Sequence, residues 1–284
     1  MLPKLAIDLL QHYLEEDVRT GDSTTEAIPE IHGLPAVATI FAQSRCVLAG
    51  VEEVLALAEL VGARGQVLAR EGEWVGPSQP VITIQGSADA LLRIERVALN
   101  IMMRMSGIAT KTRAAVNKAR AVNPHVRVAA TRKTTPGFRF FEKRAVKLGG
   151  GDPHRYALDD MVLIKNNHIA LAGGVRQAVE AARVNSSFSK KISCEAREES
   201  EAIEAIRAGA DIVLLDNLTA SEIEQLIQSL EELGIRECVL LEASGGINES
   251  NIEEYARTGV DIISLGALTH SFKSADFNMR IDKQ

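Results

Sequence analysis

"SEAIEAIRAGADIVLLDNLTASEIEQLIQSLEELG", residues 200–234, reads as a helix closed by glycine, a short apolar run and a second helix. The same unit recurs from about residue 124 onward. The apolar runs "VRVAA", "MVLIK", "KISCE", "DIVLL", "CVLLE" and "DIISL" alternate with helical segments such as "FRFFEKRAVKLGG", "VRQAVEAARV" and "NIEEYARTG". Six such alternations predict parallel strands with helices packed outside them. Their even spacing favours a barrel over an open doubly wound sheet.

Before that point the pattern is mixed. A helix occupies the first 16 residues, "PAVATIFAQS" and "PVITIQGS" alternate like strands, and "GVEEVLALAELVG" lies between them as a helix. A long periodic stretch, "ALLRIERVALNIMMRMSGIATKTRAAVNKARAV", follows, with Ser106-Gly107 as its expected break. The expected organisation is a small N-terminal domain with a linking helix over 1–110, a catalytic barrel over 111–270, and a tail over 271–284 that packs back on the first domain.

With 284 residues, 46% of them hydrophobic, the chain has material for a sizeable core. Its net charge of −6 argues against a nucleic-acid surface built from bulk charge. Any anion site must be a local concentration of cations. Cys46, Cys194 and Cys238 share no spacing that suggests a disulfide framework or zinc site. They read as structural, Cys194 inside a strand and Cys238 at the start of one. The acid-bearing amphipathic start is unlike a signal peptide, and no apolar run reaches membrane-spanning length, so a cytoplasmic protein without a membrane partner is expected.

In a parallel α/β barrel, active sites form at the C-terminal ends of the strands. Here those ends are polar in all six: Arg132 and Lys133, Lys165, Glu195, Asp216, Glu242, and Gly266 with His270. One group is cationic, comprising Arg132, Lys133, Arg139 and Lys165, joined by His154 and Arg155 from "GGGDPHR". Arginine forks match carboxylates and phosphates in pairs, so a multiply anionic small substrate is indicated. Glu195 and Asp216 form an acidic group able to hold Mg²⁺ or to steady a developing positive charge. "SGGI" at 244–247, followed by a helix over 249–257, and "SLGALTH" at 264–270 read as phosphate cradles.

Beyond these readings, "ERVALN", "SGIAT", "TRKTTPGFR", "EKRAVKLGGGDPHR", "LIKNNH", "AGADIVLLDN", "EASGGI" and "GVDIISLGALTHS" closely resemble the quinolinate phosphoribosyltransferases, with the likeness starting at "EEDVRTGDSTT". The resemblance implies a small N-terminal α/β sandwich joined to an incomplete six-stranded parallel α/β barrel. It also implies an Mg²⁺-dependent reaction of quinolinate with 5-phosphoribosyl-1-pyrophosphate, yielding nicotinate mononucleotide, pyrophosphate and CO₂. By the same resemblance, Arg132, His154, Arg155 and Lys165 grip quinolinate, with Arg96 supplied by a neighbouring subunit. Lys133 lies beside the reacting centre. Glu195 and Asp216 stand near the ribose and the metal-bound pyrophosphate, touching the metal directly or through substrate. Ser244, Gly245, Gly246, Gly266 and His270 form the 5-phosphate site. A homodimer with shared sites, or a hexamer of such dimers, is implied.

The sequence departs from the family pattern at three places. Ala130 stands before "TRKT" where Asp or Gly is usual, Asn166 replaces an acid in "KNNH", and Ser193 replaces the first glutamate of the usual "EVEV". Two rival readings are a molybdenum-transport-linked paralogue, which typically lacks the lysine found here as Lys165, and a non-catalytic phosphoribosyl or dicarboxylate sensor. Lys133, Glu195 and Asp216 together speak against mere binding.

Overall fold

Strand β1 (Pro35–Ala42) alternates buried and half-exposed side chains, so one of its faces looks onto a core. The computed structural model describes residues 2–284, and in it β1 lies inside a four-stranded antiparallel sheet. The order of that sheet is β12 (Phe277–Lys283), β1, β5 (Pro80–Ser87), β3 (Arg64–Val67). Beside it stand α1 (Lys4–Val18), α2 (Ser23–Glu26), α3 (Val51–Leu60) and the short pair β2 (Cys46–Val47) and β4 (Trp74–Val75). The Asp22 carboxylate caps α2 by accepting the N–H groups of Thr24 and Thr25 at 3.1 and 3.2 Å. The tail strand β12 runs antiparallel to β1 from Ala36–Lys283 to Ala42–Phe277.

The chain continues into α4 (Ala88–Val122), an unbroken helix of 35 residues. The expected break at Ser106-Gly107 does not occur. Ser106 is buried, and its hydroxyl satisfies both the N–H and the C=O of Ala49 at 3.0 Å. At Gly107 a Cβ would lie 2.9 Å from Ser274 Cα, so the glycine serves close backbone approach within a continuous helix.

Two units emerge from this chain path. The first runs to Arg113, resumes for Thr135–Gly150 and includes Ser271–Gln284; the second comprises Ala114–Thr134 and Gly151–His270. The expected barrel domain takes in residues 135–150, yet these group with the first unit. Its helix α5 (Arg139–Leu148) explains why. Phe141, Glu142 and Lys143 are fully buried, and the rings of Phe138 and Phe141 pack tilted against Tyr13 of α1. Arg144 pairs with Glu53 of α3 at 3.1 Å and with Glu71. Burial lifts the Glu53 carboxyl to about 7 against the pull of Arg144.

The second unit is built on one six-stranded parallel sheet in the order β6 (Arg127–Ala129), β11 (Ile262–Ser264), β10 (Leu240–Ser244), β9 (Ile212–Asp216), β8 (Ile192–Ala196), β7 (Val162–Ile164). Its helices are α6 (Asn166–Ala172), α7 (Val175–Asn185), α8 (Glu199–Arg207), α9 (Ala220–Glu232), α10 (Ile252–Arg257) and α11 (Ala267–His270). All of β8 and nearly all of β9 are buried, as strands covered on both faces must be. The sheet is the incomplete six-stranded barrel, with β6 and β7 at its edges. β6 makes only one isolated bridge beyond β11, between Ala129 and Asp152.

Two further expectations need correction. Cys238 does not begin a strand; it lies exposed in a 3-10 turn, Arg236–Cys238, ahead of β10. The helix expected over 249–257 begins only at Ile252. Asn248 and Asn251 account for the delay, because their side chains accept the backbone N–H groups of Ser250 and Asn248 at 2.8 Å and hold a turn instead.

Candidate functional site

The C-terminal ends of the parallel strands surround a cleft of about 400 Å³ in the second unit. It brings together Arg132, Lys133, His154, Arg155, Lys165, Glu195, Asp216, Ser244, Gly245 and Gly246. Gly266 adjoins this group: a Cβ there would stand 2.8 Å from Lys133 Cδ and 3.0 Å from His270 Nε2, so its bareness makes room for the lysine. Arg96 is elsewhere, exposed on α4 in the first unit. Arg139, read with the cations, opens α5 and also belongs to the first unit.

The cations leave the sheet at its two edges. After β6 the chain turns through Thr131, whose Oγ1 accepts the Lys133 N–H at 3.0 Å, while Thr269 Oγ1 donates to the Lys133 carbonyl at 2.8 Å. Arg132 has its Nε buried without a hydrogen-bond partner. A buried donor of that kind is costly unless an anion meets it. The glycine-rich loop then returns beside β6, fixed by the Ala130 N–H to Asp152 carbonyl bond at 2.9 Å. His154 takes a left-handed φ of 55°, steadied by Asp152 Oδ1, which accepts its N–H at 2.7 Å.

His154 does not simply offer a donor to the cleft. Its Nδ1 accepts the Arg155 N–H at 2.7 Å, which leaves the ring proton on Nε2, 3.3 Å from Glu242 Oε2. Glu242 is 1% exposed, a buried acid within a cationic wall. The Arg155 guanidinium is held below its usual range, first by burial and then by the like charge of Arg132, with Asp160 and Glu242 opposing.

The acids stand on interior strands. Glu195 on β8 is 6% exposed, and burial, followed by the negative charge of Asp216 on β9, raises its carboxyl above the ordinary glutamate value. Lys165 and Arg197 pull in the other direction. Arg197 spans the pair, 3.7 Å from Glu195 Oε1 and 3.6 Å from Asp216 Oδ2. After Asp216 the loop is short and fixed: Asn217 donates its N–H to the Ser244 carbonyl at 2.8 Å, and Thr219 with Glu222 caps α9 reciprocally. Gly245 and Gly246 follow Ser244 with φ of 94° and 63°, presenting backbone rather than side chain at the end of β10.

Sequence reasoning missed Arg197 and Asn217 as parts of this site, and it gave no individual role to Glu242 or to Ser264, whose buried hydroxyl lacks a partner and lines the cleft. Glu242 had a usable signal in its place at a strand end directly before "ASGG". Arg197 had only its position two residues after Glu195.

Two carboxylates supply hard oxygen donors of the kind Mg²⁺ accepts. Among the described residues no group of three or more His, Cys, Asp or Glu side chains converges as a metal cage. The pair offers two such donors to a metal.

A family model described as "Quinolinate phosphoribosyl transferase, C-terminal domain" matches residues 108–280, and its N-terminal counterpart matches residues 22–106. A probable nicotinate-nucleotide pyrophosphorylase (carboxylating) of Methanothermobacter thermautotrophicus is 44% identical, over 97% of this chain and 98% of its own. The human nicotinate-nucleotide pyrophosphorylase (carboxylating) is 40% identical over 87% of this chain and 82% of its own. The crystal structure of NadC from Streptococcus pyogenes superposes with a TM-score of 0.91 at 37% identity, covering 100% of this chain and 99% of that one.

Proposed function

The chain belongs to the quinolinate phosphoribosyltransferase family, and from that premise we propose that its cleft joins quinolinate to 5-phosphoribosyl-1-pyrophosphate, releasing pyrophosphate and CO₂ and forming nicotinate mononucleotide for NAD biosynthesis. The observation that carries the assignment is the sorting of charge around one cleft: Arg132, Lys133, Arg155 and Lys165 against the coupled acids Glu195 and Asp216. A pyridine dicarboxylate suits the first set, and a ribose that becomes cationic suits the second.

Arg132 and Arg155 grip the carboxylates of quinolinate, with His154 setting the Arg155 backbone through its ring. The clamp holds the pyridine nitrogen at attacking distance from the anomeric carbon, which converts a bimolecular encounter into an oriented one. As the C–O bond to pyrophosphate lengthens, Lys133 and Lys165 balance charge on the leaving group. Glu195 and Asp216 stabilise the oxocarbenium-like ribose, an electrostatic contribution that is often the largest in such catalysis. The nitrogen lone pair then forms the new C–N bond. Once that nitrogen is quaternary, the ring accepts the electron pair of the adjacent C–C bond, CO₂ departs, and a proton from solvent replaces it.

Ser244, Gly245, Gly246, Gly266 and His270 take the 5-phosphate through backbone N–H groups and the imidazole. Glu195 and Asp216 are where Mg²⁺ would be held, in company with substrate oxygens; when bound, it supplies charge neutralisation of pyrophosphate. Arg96 completes the quinolinate clamp of a second copy in a homodimer. Every other clamp residue named here lies in the second unit, whereas Arg96 is exposed on the first. We place the reaction in the cytoplasm; no described helix is long and apolar enough to cross a membrane.

The test is pyrophosphate release that requires both substrates and is matched mole for mole by CO₂. Release of pyrophosphate with no quinolinate requirement would overturn the assignment. The molybdenum-linked paralogue is not favoured, since the relatives named above are carboxylating pyrophosphorylases.

A further inference from the structure

We infer that His168 is a positioning residue for Lys165, its imidazole fixing the backbone from which the lysine reaches the reacting centre. The inference rests on the role given to Lys165 above. β7 has a strand neighbour on one side only, and its ladder with β8 ends at the pair Ile164–Cys194. Lys165 is the next residue and lies beyond that ladder. Its backbone is extended, with φ of −111° and ψ of 167°, and its side chain belongs to an exposed residue. The helix that follows, α6, contains no fully buried residue, so apolar packing of α6 does little to hold this turn in place.

Hydrogen bonds hold it instead. The Lys165 carbonyl accepts the backbone N–H groups of His168 and Ile169 at 2.7 and 3.0 Å, bonds that most residues would make in a helical first turn. The Lys165 N–H is different. It donates to His168 Nδ1 at 2.9 Å, and this bond depends wholly on the side chain at position 168. It resembles the back-bond of a capping box, in which the third helical residue returns to the N-cap N–H. An imidazole can serve only with Nδ1 unprotonated, so its proton stands on Nε2. Asparagine has an oxygen at nearly the same reach as Nδ1, whereas alanine and leucine have no acceptor.

The position matters because Lys165 works at a distance from its anchor. Its charge acts on Glu195, where it opposes the rise in the carboxyl pKa. A long flexible side chain on a loosened backbone would spend less of its time in that arrangement.

The experiment compares His168→Asn, His168→Ala and His168→Leu in the full chain. It measures kcat, KM for each substrate, melting temperature, and amide hydrogen exchange at Lys165. We expect His168→Ala and His168→Leu to lose about tenfold in kcat/KM, the effect of one hydrogen bond, and to exchange the Lys165 amide faster. His168→Asn should return to within about threefold of the parent, with parent-like exchange. The inference is overturned if His168→Ala keeps parent kinetics, or if His168→Asn is as impaired as His168→Leu while both melt like the parent. If alanine prevents folding, the asparagine and leucine pair decides. Should the parent release no pyrophosphate from the two substrates, the functional reading fails, and exchange at Lys165 across the three variants still decides the inference.

Discussion

The edge strands and the interior strands of the parallel sheet carry opposite charges and hold them by different means. Glu195 and Asp216 end β8 and β9, each strand with a neighbour on both sides, and Glu195 is almost wholly buried. Lys133 and Lys165 follow β6 and β7, the two edges, and both are exposed. The acids inherit their positions from backbone ladders. The lysines rely on side chains that reach back to the main chain: Thr131 and Thr269 for one, His168 for the other. Two neighbouring carboxylates repel, so a rigid frame is needed to keep them together. A lysine that meets a leaving group can tolerate more freedom, provided its base is fixed.

The largest test of this contrast is Lys133→Ala. Removing an edge cation from the transition state should lower turnover by roughly two to four orders of magnitude. The melting temperature should hardly change, because the residue is exposed and its backbone bonds do not need the amine. Near-normal turnover would mean that the edge lysine is not part of the chemistry.

Next in size is a subunit-mixing experiment that asks whether a cation can come from outside the sheet altogether. Arg96→Ala and Lys133→Ala should each be nearly inactive alone. Exchanged at equal amounts, half of the dimers are mixed and each mixed dimer has one site free of both lesions, so activity should rise toward about one quarter of the parent. Native mass spectrometry must show that mixed dimers formed. No recovery in their presence would place Arg96 in its own chain's site.

A smaller effect concerns the interior acids. Glu195 must be ionised to steady a cation, and its carboxyl is raised, so activity should fall as pH drops through a point above the ordinary glutamate value. Arg197 opposes that rise. Arg197→Ala should therefore move the acid limb of kcat/KM to higher pH, and a shift to lower pH would contradict the placement of the guanidinium over the pair. The smallest change is expected from Asn166→Asp, which restores an acid beside an edge lysine. A titration of initial rate against Mg²⁺ should show at most about a twofold change in half-saturation, as befits a partly exposed charge at that edge.

Much of the second unit could be read from residue order because each of its strands is a short apolar run between periodic helices. "DIVLL" needs no knowledge of its partners to be recognised. Strand-end positions were legible for the same reason, and Glu195, Asp216 and Lys165 follow from counting to the end of a run. What escaped depends on contacts distant in sequence. α5 has the composition of any barrel helix, and only its burial of Phe141 and its pairing of Arg144 with Glu53 and Glu71 assign it to the first unit. Ser106-Gly107 resembles a helix stop until the Ala49 backbone it satisfies is seen. His168 and Arg197 are polar residues in polar stretches, and nothing in their immediate surroundings distinguishes a side chain that touches a catalytic group from one that faces water.

The pairing of β12 with β1 has a consequence for the chain's synthesis. Ala36 pairs with Lys283 and Ala42 with Phe277, so one edge of the first sheet stays open while the entire second unit leaves the ribosome. At ordinary elongation speeds that interval is on the order of ten seconds or more, a long time for a nascent chain to display unpaired strand groups. The first unit is thus begun early and finished late, and its exposure to mispairing is set by the length of the unit made in between. A chain cut before Phe277 would carry the open edge permanently, whatever the fate of its cleft.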